Sequence, residues 1–253
     1  MSEIYTTLKS ALDNQRGAAL STLIQGPEHI GAKLLFLPGQ APQGTLGSVE
    51  LDQQVLPIAE RATWSGTGAS HTIALPTGTY EVFVEGFAPP PTLIIVGAGH
   101  IAIPLTTFAK TLNYRVIIVD ARAAFATSER FPHADEIIVE WPDEALQKLD
   151  LNPSTTVAVL THDPKFDEPT LKVLLAHEVG YIGAIGSRKT GEERAERLKN
   201  EGTTEEQLQR IHGPIGLNIG AKTPEEIALA IMAEIVATRN GKDSKSILNW
   251  QQK

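Results

Sequence analysis

Cysteine is absent from all 253 residues. That excludes structural disulfides, thiolate zinc sites, cysteine-ligated iron–sulfur clusters, cysteine nucleophiles and any persulfide carried on the chain. Long apolar runs are missing too: none approaches the roughly 20 residues of a membrane span, so no membrane partner is expected. The first residues, MSEIYTTLKSALDNQ, lack the basic start and apolar core of a secretory signal, which makes the cytoplasm the default location. Positive charge is in short supply, with 22 Lys and Arg against 30 Asp and Glu, a net charge of −8. Such a field repels nucleic acid and anionic lipid, so neither is an expected partner. The remainder is an ordinary globular composition, 42% hydrophobic and 21% charged. Its length allows one large or two small domains with real cores.

Three consecutive prolines, Pro89 to Pro91, favour extended geometry and read as a short stiff linker. Before them, residues 1–88 form a small α+β domain. Its expected elements are a helix from Thr6 to Arg16, a strand from Lys33 to Leu37 and a helix over 48–62 bent at Pro57. A hairpin in SHTIALPTGTYEVFVEGF follows, with its turn at Pro76-Thr77-Gly78. After the linker, strands and helices alternate through residues 92–240. Strands are expected at Leu93–Val96, Val116–Val119, Glu136–Val139, Thr156–Leu160 and Tyr181–Ile185. Helices are expected at His100–Leu112, Pro142–Leu149, Leu171–Val179, Ser187–Asn200 and Pro224–Arg239. Alternation of this kind predicts a Rossmann-like α/β fold with a doubly wound parallel sheet. Residues 241–253 read as a polar, frayed tail in which Ile247, Leu248 and Trp250 could dock.

The run TLIIVGAGHIAIPLTTFAKTLNYRVIIVDAR carries the first chemical signal. Gly97-Ala98-Gly99-His100-Ile101-Ala102 matches G-x-G-x-x-A. Gly97 permits the tight turn off the strand, Gly99 lets backbone approach a pyrophosphate, and Ala102 allows close helix–strand packing. The helix N-terminus offers free N–H groups to phosphates. Asp120 stands at the end of the second strand, where a carboxylate can accept hydrogen bonds from ribose hydroxyls. Asp120 favours NAD over NADP, although Arg122 can offset that preference. The bland alternative is a degenerate domain that keeps its glycines only for the turn. Pro104 falls about one turn into the expected helix and is expected to bend it.

In such sheets, ligands sit beyond the carboxyl ends of the strands. His100, His162 and Asp163 are therefore expected near the cofactor. His162 is a candidate acid, base or anion holder, and Asp163 a candidate to orient it; equally, Asp163 and Asp167 can cap the next helix. Gly186, Ser187 and Arg188, with Lys189, form either an anion site or a solvated basic turn. HGPIGLNIG, residues 212–220, is an apolar loop whose glycines rule against regular structure. Exposure of its Ile215, Leu217 and Ile219 would be a liability unless they pack on cofactor, partner or a second copy of the chain.

Four stretches read in order add a resemblance: IIVGAGHIA, VIIVDAR, LTHDPKFDEPTL, and YIGAIGSRKT followed by IHGPIGLNIGAKTPEEIALAIMAEI. They resemble the xanthine dehydrogenase accessory proteins of XdhC type, also called the XdhC/CoxI family. The resemblance implies a maturation factor for molybdenum hydroxylases. It would bind and shelter the molybdenum cofactor (molybdopterin), support its sulfuration by a cysteine desulfurase and assist delivery to the hydroxylase apoenzyme. A homodimer is expected, and no resident metal site. The family commonly shows Gly-Cys-Val-Glu in its N-terminal domain, where this chain has Gly47-Ser48-Val49-Glu50. A serine cannot act as a soft thiolate or carry a persulfide. Sulfur would then come from a partner, or this chain binds a cofactor variant differently.

Two classes of function follow. A delivery protein needs only to hold the pterin cofactor's phosphate or nucleotide end at Gly97, Gly99, His100, Ala102 and Asp120. An NAD(P)-dependent oxidoreductase would use the same site, with His162 serving hydride or proton chemistry. A dehydrogenase normally adds a substrate domain after residue 186, but only a glycine-rich loop and two helices are legible there. That favours delivery.

Overall fold

The computed structural model describes residues 3–242, so the tail reading that rests on Ile247, Leu248 and Trp250 lies outside the described residues. The chain divides into two compact units, Met1–Pro90 and Pro91–Lys253.

In the first unit the elements run α1 (Glu3–Asp13), β1 (Ala18–Gln25), β2 (Lys33–Phe36), β3 (Gln43–Thr45), α2 (Val49–Ser65), β4 (Gly68–Leu75) and β5 (Gly78–Phe87). The strands form one antiparallel sheet in the order β3-β2-β1-β5-β4. Sequence patterning misses β1, although it is the central strand. Its opening Ala18-Ala19 carries no strand preference, and pairing on both edges is what makes it extended. The first helix also ends earlier than expected, at Asp13, because Gln15 adopts a φ of 54° as the chain turns toward β1. Helix α2 starts where the Ser48 side chain accepts from the Leu51 N–H and stops at Gly66, which adopts φ 62°. It buries Leu51, Val55, Ala59 and Ala62 at helical spacing against Leu23, Leu34, Val82 and Val84 of the sheet.

The second unit runs β6 (Thr92–Val96), α3 (Ala102–Thr111), β7 (Arg115–Val119), β8 (Glu136–Ile138), α4 (Pro142–Leu146), β9 (Thr155–Val159) and α5 (Pro164–Leu175). It continues with β10 (Tyr181–Ala184), α6 (Arg188–Asn200), α7 (Glu205–Gln209), β11 (Ile211–His212) and α8 (Pro224–Arg239). All pairings are parallel, in the order β8-β7-β6-β9-β10-β11. This is a Rossmann sheet, with its order reversing between β6 and β9. The continuous apolar runs are explained by burial on both faces. Leu93, Ile95, Val116 and Ile118 pack with α3 and α8, through Leu105, Ile231 and Ile235. Ile94, Val96, Ile117, Val157 and Val159 point the other way, toward Leu146, Leu171, Leu174 and Leu198 of α4, α5 and α6.

Three boundaries differ in ways that bear on function. Helix α3 begins at Ala102, so Pro104 lies in its first turn, where a missing N–H costs no intrahelical bond, and it need not bend the helix. Helix α5 begins at Pro164, seven residues before the expected Leu171, because Asp163 caps it and proline suits the first position. Three helices and the short strand β11 follow residue 186, more than the sequence shows.

Candidate functional site

The glycine turn is built by its surroundings. Gly97 has φ 104°, and a Cβ there would meet the Thr161 side chain at 2.9 Å and the Thr161 nitrogen at 3.1 Å, so only glycine fits. Its N–H donates to the Val119 carbonyl at 2.8 Å, tying the turn to β7. Gly99 differs: a Cβ there would meet nothing within 4 Å. The turn is open at this residue, and the N–H groups of Gly99 and His100 donate to no acceptor among the described residues. Two free donors ahead of a helix N-terminus are the chemistry an anion requires.

Asp120 sits buried beneath the turn, and its carboxylate is saturated. Oδ2 accepts from the Ala98 N–H at 2.8 Å and from Arg122 Nη2 at 2.7 Å; Oδ1 accepts from the Arg122 N–H and Nε, each at 2.9 Å. A carboxylate has about four acceptor positions, and all four are used. Burial pushes the Asp120 pKa up, but the bonds from Arg122 and Ala98 outweigh it, and the carboxyl lies below its ordinary value. The sequence expects Asp120 to receive ribose hydroxyls. The structure instead gives its acceptors to the turn and to Arg122, whose guanidinium also stacks on Phe125 at 4.3 Å.

Arg130 was not legible as a site residue. It reaches back from beyond β7 to donate to the carbonyls of Ala98 and Phe125, both at 2.8 Å, and so braces the outer side of the turn. Nothing in the local pattern around Ser128-Glu129-Arg130 signals a partner 32 positions earlier.

A cavity of about 760 Å³ opens in front of the turn. Gly99, His100 and Ala102 line one side, and Thr161, His162 and Asp163 at the end of β9 line another. Those predicted residues are thus brought together. Arg122, Lys165 and Lys222 add cationic groups, of which Lys222 was not anticipated. Lys165 leans toward Asp163 at 3.5 Å. Asp163 caps α5 by accepting from the Lys165 N–H at 3.1 Å, so its first role is structural. His162 is exposed and has no hydrogen-bond partner among the described residues. Among the described residues no group orients its ring.

Behind the cavity, Thr161 donates to Asp167 in a short bond, and the other Asp167 oxygen takes Arg194 Nη2 at 3.0 Å. Arg194 also donates to the Ile185 carbonyl at 2.8 Å. Burial dominates here and raises the Asp167 pKa despite these donors and the nearby His162. Both partners are almost fully buried, so removing either would strand a charge.

The remaining predicted residues go elsewhere. Ser187 caps α6 by accepting from the Thr190 N–H at 3.1 Å, and Gly186 takes φ 146° to turn into it. Arg188 does not line the Gly99 cavity; it lines a second one of about 750 Å³ with the Gly213–Asn218 loop. Ile215 of that loop, expected to be exposed, is buried, and Gly183 makes room for it. Ile219 is exposed as the sequence suggests.

Among the described residues, no helix is long and apolar enough to cross a membrane. Residues 93–235 match the XdhC Rossmann domain. Over 161 residues the chain is 35% identical to a protein of Bacillus subtilis named as a probable xanthine dehydrogenase component, covering 64% of this chain and 47% of that protein. Over 185 residues it is 25% identical to the molybdenum cofactor insertion chaperone PaoD of Escherichia coli, covering 71% of this chain and 52% of that protein. The chain therefore spans about half the length of these curated relatives. A crystal structure described as a xanthine dehydrogenase from Bacillus halodurans aligns over 96% of this chain and 97% of its own, with TM-score 0.54 and 22% identity. That likeness speaks for the fold alone.

Proposed function

Because the chain belongs to the XdhC Rossmann-domain family, we propose that it is a maturation factor that binds the molybdenum–pterin cofactor and helps insert it into a molybdenum hydroxylase. One observation carries this reading. The glycine turn presents two free N–H donors to a cavity with three cationic side chains, while the carboxylate that would grip a ribose is fully occupied. Such a site favours a phosphate-bearing ligand over the adenosine end of a dinucleotide.

The Gly99 and His100 N–H groups take the cofactor's phosphate, and Lys222 supplies positive charge beside Arg122 and Lys165, which also face Asp120 and Asp163. Arg130 and Asp120 hold the turn in shape from either side, so the donors are in place before the ligand arrives. No side chain here needs to turn over. The sulfur atom of a sulfurated cofactor comes from another protein, a cysteine desulfurase, because this chain has no thiol to carry it.

The rival reading is an NAD(P)-dependent oxidoreductase acting on a small molecule. It requires acceptors that Asp120 has already committed and an oriented base that His162 does not provide. Co-expression with a molybdenum hydroxylase tests the choice. Gly99→Val places a branched side chain in the open space before the donors and leaves the turn intact. Hydroxylase activity and molybdenum content should then fall several-fold relative to the parent. Full activity with Gly99→Val, or with no accessory protein at all, would reject the delivery role.

A further inference from the structure

The second cavity is walled by α6, α7 and the Gly213–Asn218 loop, and the Gly99 turn takes no part in it. Its loop is pinned at three successive residues. The Ile215 N–H donates to the Ala184 carbonyl and the Leu217 N–H to the Ala230 carbonyl, both at 3.1 Å. Between them the Gly216 N–H donates to Glu234 Oε2 at 2.7 Å. Gly216 has φ 95° and lies so close to α8 that a Cβ would stand 3.1 Å from the Ile231 nitrogen. This glycine-rich loop is a fixed wall.

Glu234 is the post to which the wall is tied. Besides Gly216 it accepts from the Tyr181 hydroxyl at 2.6 Å and faces His212 Nδ1 at 3.4 Å. The imidazole stacks on the Tyr181 ring with centroids 4.5 Å apart. With Nδ1 turned to Glu234, the opposite nitrogen Nε2 is left for a ligand. Of the other charged groups on the wall, Arg194 is held by Asp167 and Glu205 by Lys199. Arg188 and Glu192 make no ion pair among the described residues. They stand four positions apart on α6, which puts both on one face of the helix. Leu208 and Leu217, both half-buried, supply apolar surface to the same cavity.

We propose that this cavity is a separate binding site for a flat, fused heterocycle that has an amidine-type N–H edge and an anionic tail. A carboxylate such as Glu192 matches two parallel N–H donors of the kind a 2-amino-4-oxopyrimidine ring presents. The guanidinium of Arg188 matches a carboxylate or phosphate tail, and the leucines accept the ring faces. About 750 Å³ is ample for one such bicyclic ring. Pterins and guanine nucleotides share this chemistry. The inference rests on the cargo reading only for the expectation that the pterin is preferred.

Titrations of the full-length protein with pterin-6-carboxylate, followed by the pterin's fluorescence, and with guanosine 5′-monophosphate, followed by calorimetry, provide the test. The expected result is saturable one-to-one binding of at least one probe. It should weaken tenfold or more in Arg188→Glu and in Glu192→Gln, with circular dichroism unchanged. Tighter binding of the pterin assigns the ring as cargo; tighter binding of the nucleotide keeps the site and assigns a guanine ligand. No binding of either probe overturns the proposal, as does binding that Gly99→Val abolishes and Arg188→Glu spares. In those cases molybdenum cofactor could still be held at the Gly99 turn, so delivery would stand without this second site.

Discussion

Glu234 illustrates how one buried carboxylate organises a whole loop. Burial alone would push its pKa up, but donors from His212, Tyr181 and Gly216 outweigh that, and the carboxyl lies below its ordinary value of 4.5. A depressed folded pKa has a definite sign: the stabilisation is complete above the unfolded value and is lost as pH falls through the folded one. In Glu234→Gln one amide oxygen can still accept from the Tyr181 hydroxyl and the Gly216 N–H while the NH₂ faces His212, but the negative charge that strengthens these bonds is gone. Urea unfolding at pH 7 should show a loss of about 2 kcal/mol. The gap between parent and variant should narrow as pH drops below 4.5. A gap independent of pH would contradict the charged-acceptor role. Asp120 was legible as a carboxylate at the turn, but its saturation was not. Arg122 wraps back two residues and Ala98 arrives from 22 positions away, and sequence spacing encodes neither the curl of a side chain nor its partner.

Helix α2 turns on Ser48, its N-cap. Its hydroxyl accepts from the Leu51 N–H at 3.2 Å, and Asp52 in the same first turn accepts from the Leu46 N–H at 2.8 Å. The serine thus has a structural task of its own. Ser48→Ala should lower stability by about 1 kcal/mol, the usual cost of a lost N-cap, as measured by urea unfolding. Unaltered stability would mean that the hydroxyl is retained for something other than capping. Elements with a strong period or a hard stop were legible: β6 and β7 from their apolar runs, and α8 from Thr223-Pro224-Glu225-Glu226. Elements held by tertiary context were not. Strand β11 has two residues and exists because it pairs with β10, and α7 has five residues and no buried side chain. Missing them hid the second cavity, since both form its wall.

As a molecule, the chain joins an antiparallel α+β unit to a Rossmann unit, and the chemistry that can be argued lies in the second. The sequence pooled its candidate residues into one site, while the structure separates them. Gly97 through Ala102, His162 and Asp163 gather around the turn, and Arg188 joins His212 and the glycine-rich loop some distance along the sheet order, beyond β10. The Gly99 turn offers free N–H donors to a phosphate, and the second cavity is a separate surface that shares no lining residue with it. Retention of a phosphate-bearing pterin cargo is what separates delivery from hydride transfer. Native mass spectrometry of the protein, purified from a host that makes molybdenum cofactor, reads that retention directly. The expected result is a mass increment matching a molybdenum–pterin species, lost in Gly99→Val. A protein that carries no such increment, or that carries NAD(P) in its place, would contradict it.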